Sequence, residues 1–105
     1  MHKFKCHQLA VQFYQEAKKC RLPSYLNNQL LRAASSVALN LSEGWGKGIS
    51  KDRLRFWKIA LGSIRECESI AALEPLAFSR QQKELLNHLA GATVKLLHNA
   101  PSSLP

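Results

Sequence analysis

Asn40-Leu41-Ser42-Glu43-Gly44-Trp45-Gly46-Lys47-Gly48-Ile49-Ser50 sits near the middle of the chain and sets how the segments on either side are arranged. Helical patterns lie on both sides of it. Glycine at three alternate positions is expected to stop a helix, because a residue without Cβ reaches positive φ and loses the most entropy when ordered. Ser50 then offers a side-chain oxygen to the unpaired amides of the next helix, with Asp52 near its positive end. The stretch therefore predicts a helix-loop-helix corner carrying one aromatic, Trp45, and one cation, Lys47.

Upstream, a helix is predicted over 25–43, entered through Leu22-Pro23-Ser24 with Ser24 as N-cap. Its inner stripe is Leu26, Leu30, Ala33, Val37 and Leu41. Between Leu22 and Ser42 the only charge is Arg32. Ser35 and Leu39 lie on the back of this helix, Leu31 and Ala38 on its flank. A helix apolar or small nearly all round is normally buried on more than one side. In a bundle that points to a subunit interface, where Ala33, Ala34, Ser35, Ser36 and Ala38 let a neighbouring helix approach. The alternative is a centrally buried helix in a monomer. Asn40 falls near the inner stripe, where an unsatisfied amide costs ~1–3 kcal/mol. With Glu43 it is expected to fasten the corner.

Downstream, a helix over 51–73 has an inner seam of Leu54, Trp57, Leu61, Ile64 and Ala71, widened by Phe56, Ala60 and Cys67. The opposite stripe is Lys51, Arg55, Lys58, Gly62, Arg65 and Ser69, with four cations and no acid. Such a stripe is more often a solvated face than a phosphate track, and its length and its place right after the corner put the two readings level. Glu68 falls in the apolar seam by helical angle, where a carboxylate is costly without a partner. Arg32 is the expected partner, within one chain or between chains. A catalytic role for Glu68 would need a second acid or base converging on it.

Two more helices complete the pattern. One covers 3–19, with Cys6, Leu9, Ala10, Phe13, Ala17 and Cys20 on one face and Lys5, Gln8, Gln12, Gln15 and Lys19 opposite. The other covers 80–97, after Glu74-Pro75 breaks the chain and Ser79 caps with Gln82 three residues later. Residues 99–105 read as a flexible tail. The fold class is all-α, an antiparallel up-down-up-down four-helix bundle over 1–98.

The chain has 105 residues, one domain's worth, with 46% hydrophobic residues and a net charge of +8. That balance favours an anionic partner, nucleic acid first. Cys6, Cys20 and Cys67 are odd in number and widely spaced, which reads as reduced buried thiols in a cytoplasmic protein. No run approaches the ~18 apolar residues of a membrane span, and no secretory pattern is visible at the start. Gly44-Trp45-Gly46-Lys47-Gly48 lacks the spacing and the preceding strand of a P-loop. His2, Cys6 and His7 fall short of four zinc ligands, since His88 and His98 lie on another helix. No metal, cofactor or catalytic set is predicted.

Arg32-Ala33-Ala34-Ser35-Ser36-Val37, then Asn40-Leu41-Ser42-Glu43-Gly44, then Phe56 to Ser63 with Glu66 and Glu68, together resemble one family. It is the four-helix-bundle family encoded by intervening sequences within bacterial 23S rRNA genes, sometimes labelled a ribosomal protein. It is related to the accessory variability determinant of diversity-generating retroelements. The likeness covers nearly the whole chain and is densest from Arg32 to Glu68. Departures are mild: Ala38-Leu39 where a proline is common, Ser42 for the usual Ala, and Trp45 for a more frequent Tyr. The resemblance implies a homopentamer that associates with RNA or DNA without catalysis, in one branch alongside a reverse transcriptase. The residues expected to contact nucleic acid are Lys47, Lys51, Arg55, Lys58 and Arg65, with Lys18, Lys19 and Arg21 second. Arg32, Leu39, Asn40, Glu43 and Glu68 are expected to serve structure and assembly. A protein-binding scaffold with incidental nucleic-acid affinity is the competing expectation.

Overall fold

The computed structural model describes residues 4–101 and 103–104. Four α-helices follow one another: α1 (Lys5–Ala17), α2 (Ser24–Gly46), α3 (Lys51–Leu73) and α4 (Arg80–His98), with one turn of 3-10 helix at Pro75–Ala77 before α4. Each helix packs on two others: α2 on α1 and α3, α4 on α3 and α1. Among the described residues the diagonal helices do not pack backbone to backbone, so the section is a square, drawn out to 43 × 23 × 22 Å. This is the expected antiparallel all-α bundle. No helix among the described residues is long and apolar enough to cross a membrane.

The core follows the helical stripes. Phe13 and Ala10 of α1, Leu30 and Val37 of α2, Ile64 of α3 and Leu89 of α4 are almost wholly buried. Buried small residues on the two helices, Ala33 and Ala34 of α2 and Ala60 of α3, let α2 and α3 come close. The polar groups inside are satisfied. Thr93 Oγ1 donates to the Leu89 carbonyl at 2.9 Å and lies 3.1 Å from Cys6 Sγ. Gln82 closes a full capping box with Ser79, and its Nε2 also donates to the Glu16 carbonyl at 3.1 Å. One residue thus starts α4 and ties it to the end of α1.

The ends of the helices correct the sequence reading in three places. First, α2 does not stop at Glu43; it runs through Gly44 and ends at Gly46. Gly44 is needed for space, because a Cβ there would lie 2.5 Å from the Trp57 indole. Only Gly48, at φ 67°, performs the backbone reversal expected of all three glycines. Second, Ser24 is the first helical residue and not the cap; Pro23 holds the cap position and its carbonyl accepts from Asn27 N at 2.8 Å. Third, α1 ends at Ala17, and Lys19 and Cys20 form tighter i→i−3 bonds beyond it. The proposed start at Lys3 lies outside the described residues. The corner cap itself is as expected, with Arg53 N donating to Ser50 Oγ at 3.2 Å. Trp45 folds back onto Phe4, ring centroids 4.5 Å apart.

Candidate nucleic-acid interface

The side of α3 turned away from the core is set by the phase of its buried residues. These are Trp57, Ala60, Ile64, Cys67 and Ile70, while Leu54, Leu61 and Ala71 are only half-buried. The seam is therefore rotated by about one residue from the expected one. Two consequences follow. Lys51, Arg55, Lys58, Gly62, Arg65 and Ser69 are all exposed along the outer face. Glu68 moves to the edge of the seam, 32% exposed, and pairs with Arg65 at 2.7 Å. The expected pairing of Glu68 with Arg32 does not form within the chain, and Arg32 has no carboxylate partner among the described residues. Fourteen residues separate Lys51 from Arg65, a track of ~21 Å at the helical rise.

The cations on this track are not equivalent. Arg55 bonds Asp52 at 3.0 Å, Arg65 bonds Glu68, and Lys47 lies 3.6 Å from Glu43. Lys51 and Lys58 have no acid within ion-pair distance among the described residues. Exposed pairs one turn apart are worth only ~0.2–1 kcal/mol and exchange readily for a stronger anion. Lys47 and Arg55 also flank Phe56, at 5.6 and 4.4 Å from its centroid. Lys47 therefore joins the start of the track. Lys18, Lys19 and Arg21 do not, because they follow the end of α1, beside the 3-10 turn at the far end of the bundle. Lys19 is held by Glu16 at 2.9 Å, and Lys18 lies 5.5 Å over Tyr14.

The residues assigned to assembly divide similarly. Leu39 is 68% exposed on the outer face of α2, which a centrally buried helix would not allow. α2 is therefore not a centrally buried helix. Asn40 does not fasten the corner; its Nδ2 donates to the Ser36 carbonyl at 2.9 Å and to Ser36 Oγ at 3.1 Å. Ser63 Oγ donates to the same Ser36 Oγ at 2.9 Å, which makes a small polar clasp between α2 and α3. Among the described residues, Glu43 pairs with Lys47 alone.

The fastening falls instead to Arg53, which periodicity leaves on the flank of α3. Its Nε donates to the Gly44 carbonyl at 3.0 Å and its Nη2 to the Trp45 carbonyl at 2.9 Å. Its guanidinium carbon lies 5.0 Å from the Trp57 ring centre and 5.6 Å from that of Trp45. An arginine three residues after a helix cap, beside a glycine that admits a tryptophan, is the signal that would have found it. Trp57 Nε1 donates to the Leu41 carbonyl at 3.2 Å from the other side.

The thiols are poor nucleophiles. Burial pushes the Cys67 thiol up to about 12, helped by Glu66 and Glu68. Burial also raises Cys6 and Cys20, against the bond to Thr93 in the first and with Glu16 in the second. A raised pKa leaves less thiolate at neutral pH, and thiolate is the form that attacks. No three His, Cys, Asp or Glu side chains converge among the described residues; His2 lies outside them.

A four-helix bundle with one cationic outer face and one nearly uncharged outer face defines the structural class. Residues 3–98 match the family described as 23S rRNA-intervening sequence protein, and the chain belongs to that family. No curated protein and no solved structure matches it significantly.

Proposed function

We propose that this is a non-catalytic, cytoplasmic nucleic-acid-binding protein that works as a homopentamer, accessory to rRNA intervening sequences or to a reverse transcriptase. The observation that carries the reading is the outer face of α3, where four exposed cations share one stripe with no acid on it. Repeated around a ring, that stripe becomes a distributed polycation; five chains at +8 carry +40. Each phosphate neutralised releases counterions, so affinity falls with salt at a slope of about −0.9 per contact. Four contacts give a slope of about −3.6, and doubling the salt weakens binding to a short duplex roughly twelvefold. Binding that is indifferent to salt would reject the mechanism.

A second reading rests on Leu39. A large apolar side chain exposed on a helix with a single charge along most of its length also suits a protein partner. In that case the α2 face serves a scaffold and nucleic acid is incidental. Light scattering separates part of the question, since a monomer at micromolar concentration removes self-assembly from the role of α2.

A further inference from the structure

Among the described residues, the end of the bundle where α1 and α3 begin and α4 finishes is left open. A cavity of about 530 Å³ lies there, open to solvent and within the size range of small-molecule sites. Phe4, Ile49, Leu54, Trp57, Leu96 and Leu104 supply most of its apolar wall. Lys5, Arg53 and Lys95 stand among them, and no carboxylate does among the described residues. None of these three cations has an acid partner within 4.0 Å among the described residues.

Two features make this more than a gap between helices. Arg53 is already immobilised by the Gly44 and Trp45 carbonyls, through Nε and Nη2. A guanidinium has five N–H donors, so Nη1 is left to meet a ligand with little further entropy to lose. The chain beyond α4 also contributes wall residues, Pro101 and Leu104 among them. A nucleobase suits this cavity poorly. Its uncharged polar side chains are Ser50 and Asn99, and Ser50 Oγ is occupied by Arg53 N. A base edge would be buried with its hydrogen bonds unmade. An apolar body with one anionic head satisfies both the wall and the cations.

We propose that this groove binds a small amphipathic carboxylate, its alkyl chain along the Phe4, Leu54 and Leu96 wall and its head group on Arg53, Lys5 and Lys95. The full chain is titrated with decanoate below its micellar concentration. The signal is tryptophan fluorescence, since Trp45 and Trp57 both lie against Arg53. The binding is saturable, about tenfold tighter than that of decanol, which lacks the charge. It is at least a hundredfold tighter than that of butyrate, which lacks most of the apolar body. Lys5→Glu and Lys95→Glu each weaken decanoate about tenfold. Ala92→Phe fills the groove and abolishes binding, with circular dichroism checking the fold; should it misfold, the two exposed lysines carry the test. Equal affinity for decanol, an unsaturable titration, or unchanged binding in both lysine variants would overturn the assignment. So would preference for phosphatidylglycerol vesicles over free decanoate, which would make the end of the bundle a membrane-contacting surface.

Discussion

α2 and α3 are both 23 residues long, pack along each other, and share the Ser36–Ser63 clasp, yet their outer faces have nothing in common. The outer face of α2 offers Asn28, Arg32, Ser35 and Leu39; that of α3 offers Lys51, Arg55, Lys58 and Arg65. The inner faces are alike, aliphatic with alanine at the close approach, because both answer to one core. Folding therefore accounts for the insides and leaves the outsides unconstrained. A nearly neutral face of small residues can be covered by protein at little desolvation cost. A face of cations suits a polyanion and resists being covered by anything else. On the proposed function, the two outer faces would serve different partners.

The comparison breaks hardest under charge reversal. Lys51→Glu, Arg55→Glu and Lys58→Glu together should lower duplex affinity by on the order of 10³-fold, since three favourable phosphate contacts become repulsive. Stability should change by no more than about 1 kcal/mol, because all three residues are exposed. Leu39→Glu should do the opposite, lowering the mass measured by light scattering while sparing the affinity of each folded chain. If Leu39→Glu weakens duplex binding as much as the triple reversal does, the two faces are not functionally separate.

Next in size is a test on the inner side, where the two helices meet. Gly44→Ala puts a methyl group 2.5 Å from an indole held by both the Leu41 carbonyl and Arg53. The ring cannot give way, and the variant should lose about 1–3 kcal/mol by denaturant unfolding. Gly46→Ala, one turn-fraction on, meets nothing within 4 Å and should gain up to ~1 kcal/mol from helix propensity. Neither should alter the salt slope of duplex binding once the chain is folded. Two neighbouring glycines with effects of opposite sign would show that Gly44 is there for Trp57 and not for the turn.

That pair also marks where sequence reading succeeds and where it stops. Ser50, and Ser79 with Gln82, announce the starts of α3 and α4 because capping is local chemistry, complete within four residues. The end of α2 is not legible in the sequence, because glycine carries a modest local penalty, about 1 kcal/mol, which packing against Trp57 outweighs. The phase of α3 was off by about one residue for a related reason. Leu54 and Leu61 have more apolar surface than Ala60 and Cys67, but the close approach of α2 selects the smaller residues for the centre. That error placed Glu68 inside and gave it Arg32; the true phase gives it Arg65. The outer cationic stripe survived the error because all six of its members lie far from the seam. Arg53 was illegible, since its role depends on carbonyls eight and nine residues earlier that only the folded corner presents.

The smallest effect tests whether the cations of α3 are held in check by their own helix. Arg55 is tied to Asp52, which sits in the first turn where a negative charge complements the helix dipole. Asp52→Asn keeps the shape, removes the pair and removes an anion beside the track. It should cost about 0.3–1 kcal/mol of stability through the lost dipole interaction. It should also raise duplex affinity about two- to fivefold, as Arg55 no longer exchanges one anion for another. The same change gains nothing on a scaffold reading, because a protein partner on α2 does not sense it. An Asp52→Asn chain that is less stable but binds the duplex no better would mean that Arg55 serves the helix alone, and that the track begins and ends with Lys51 and Lys58.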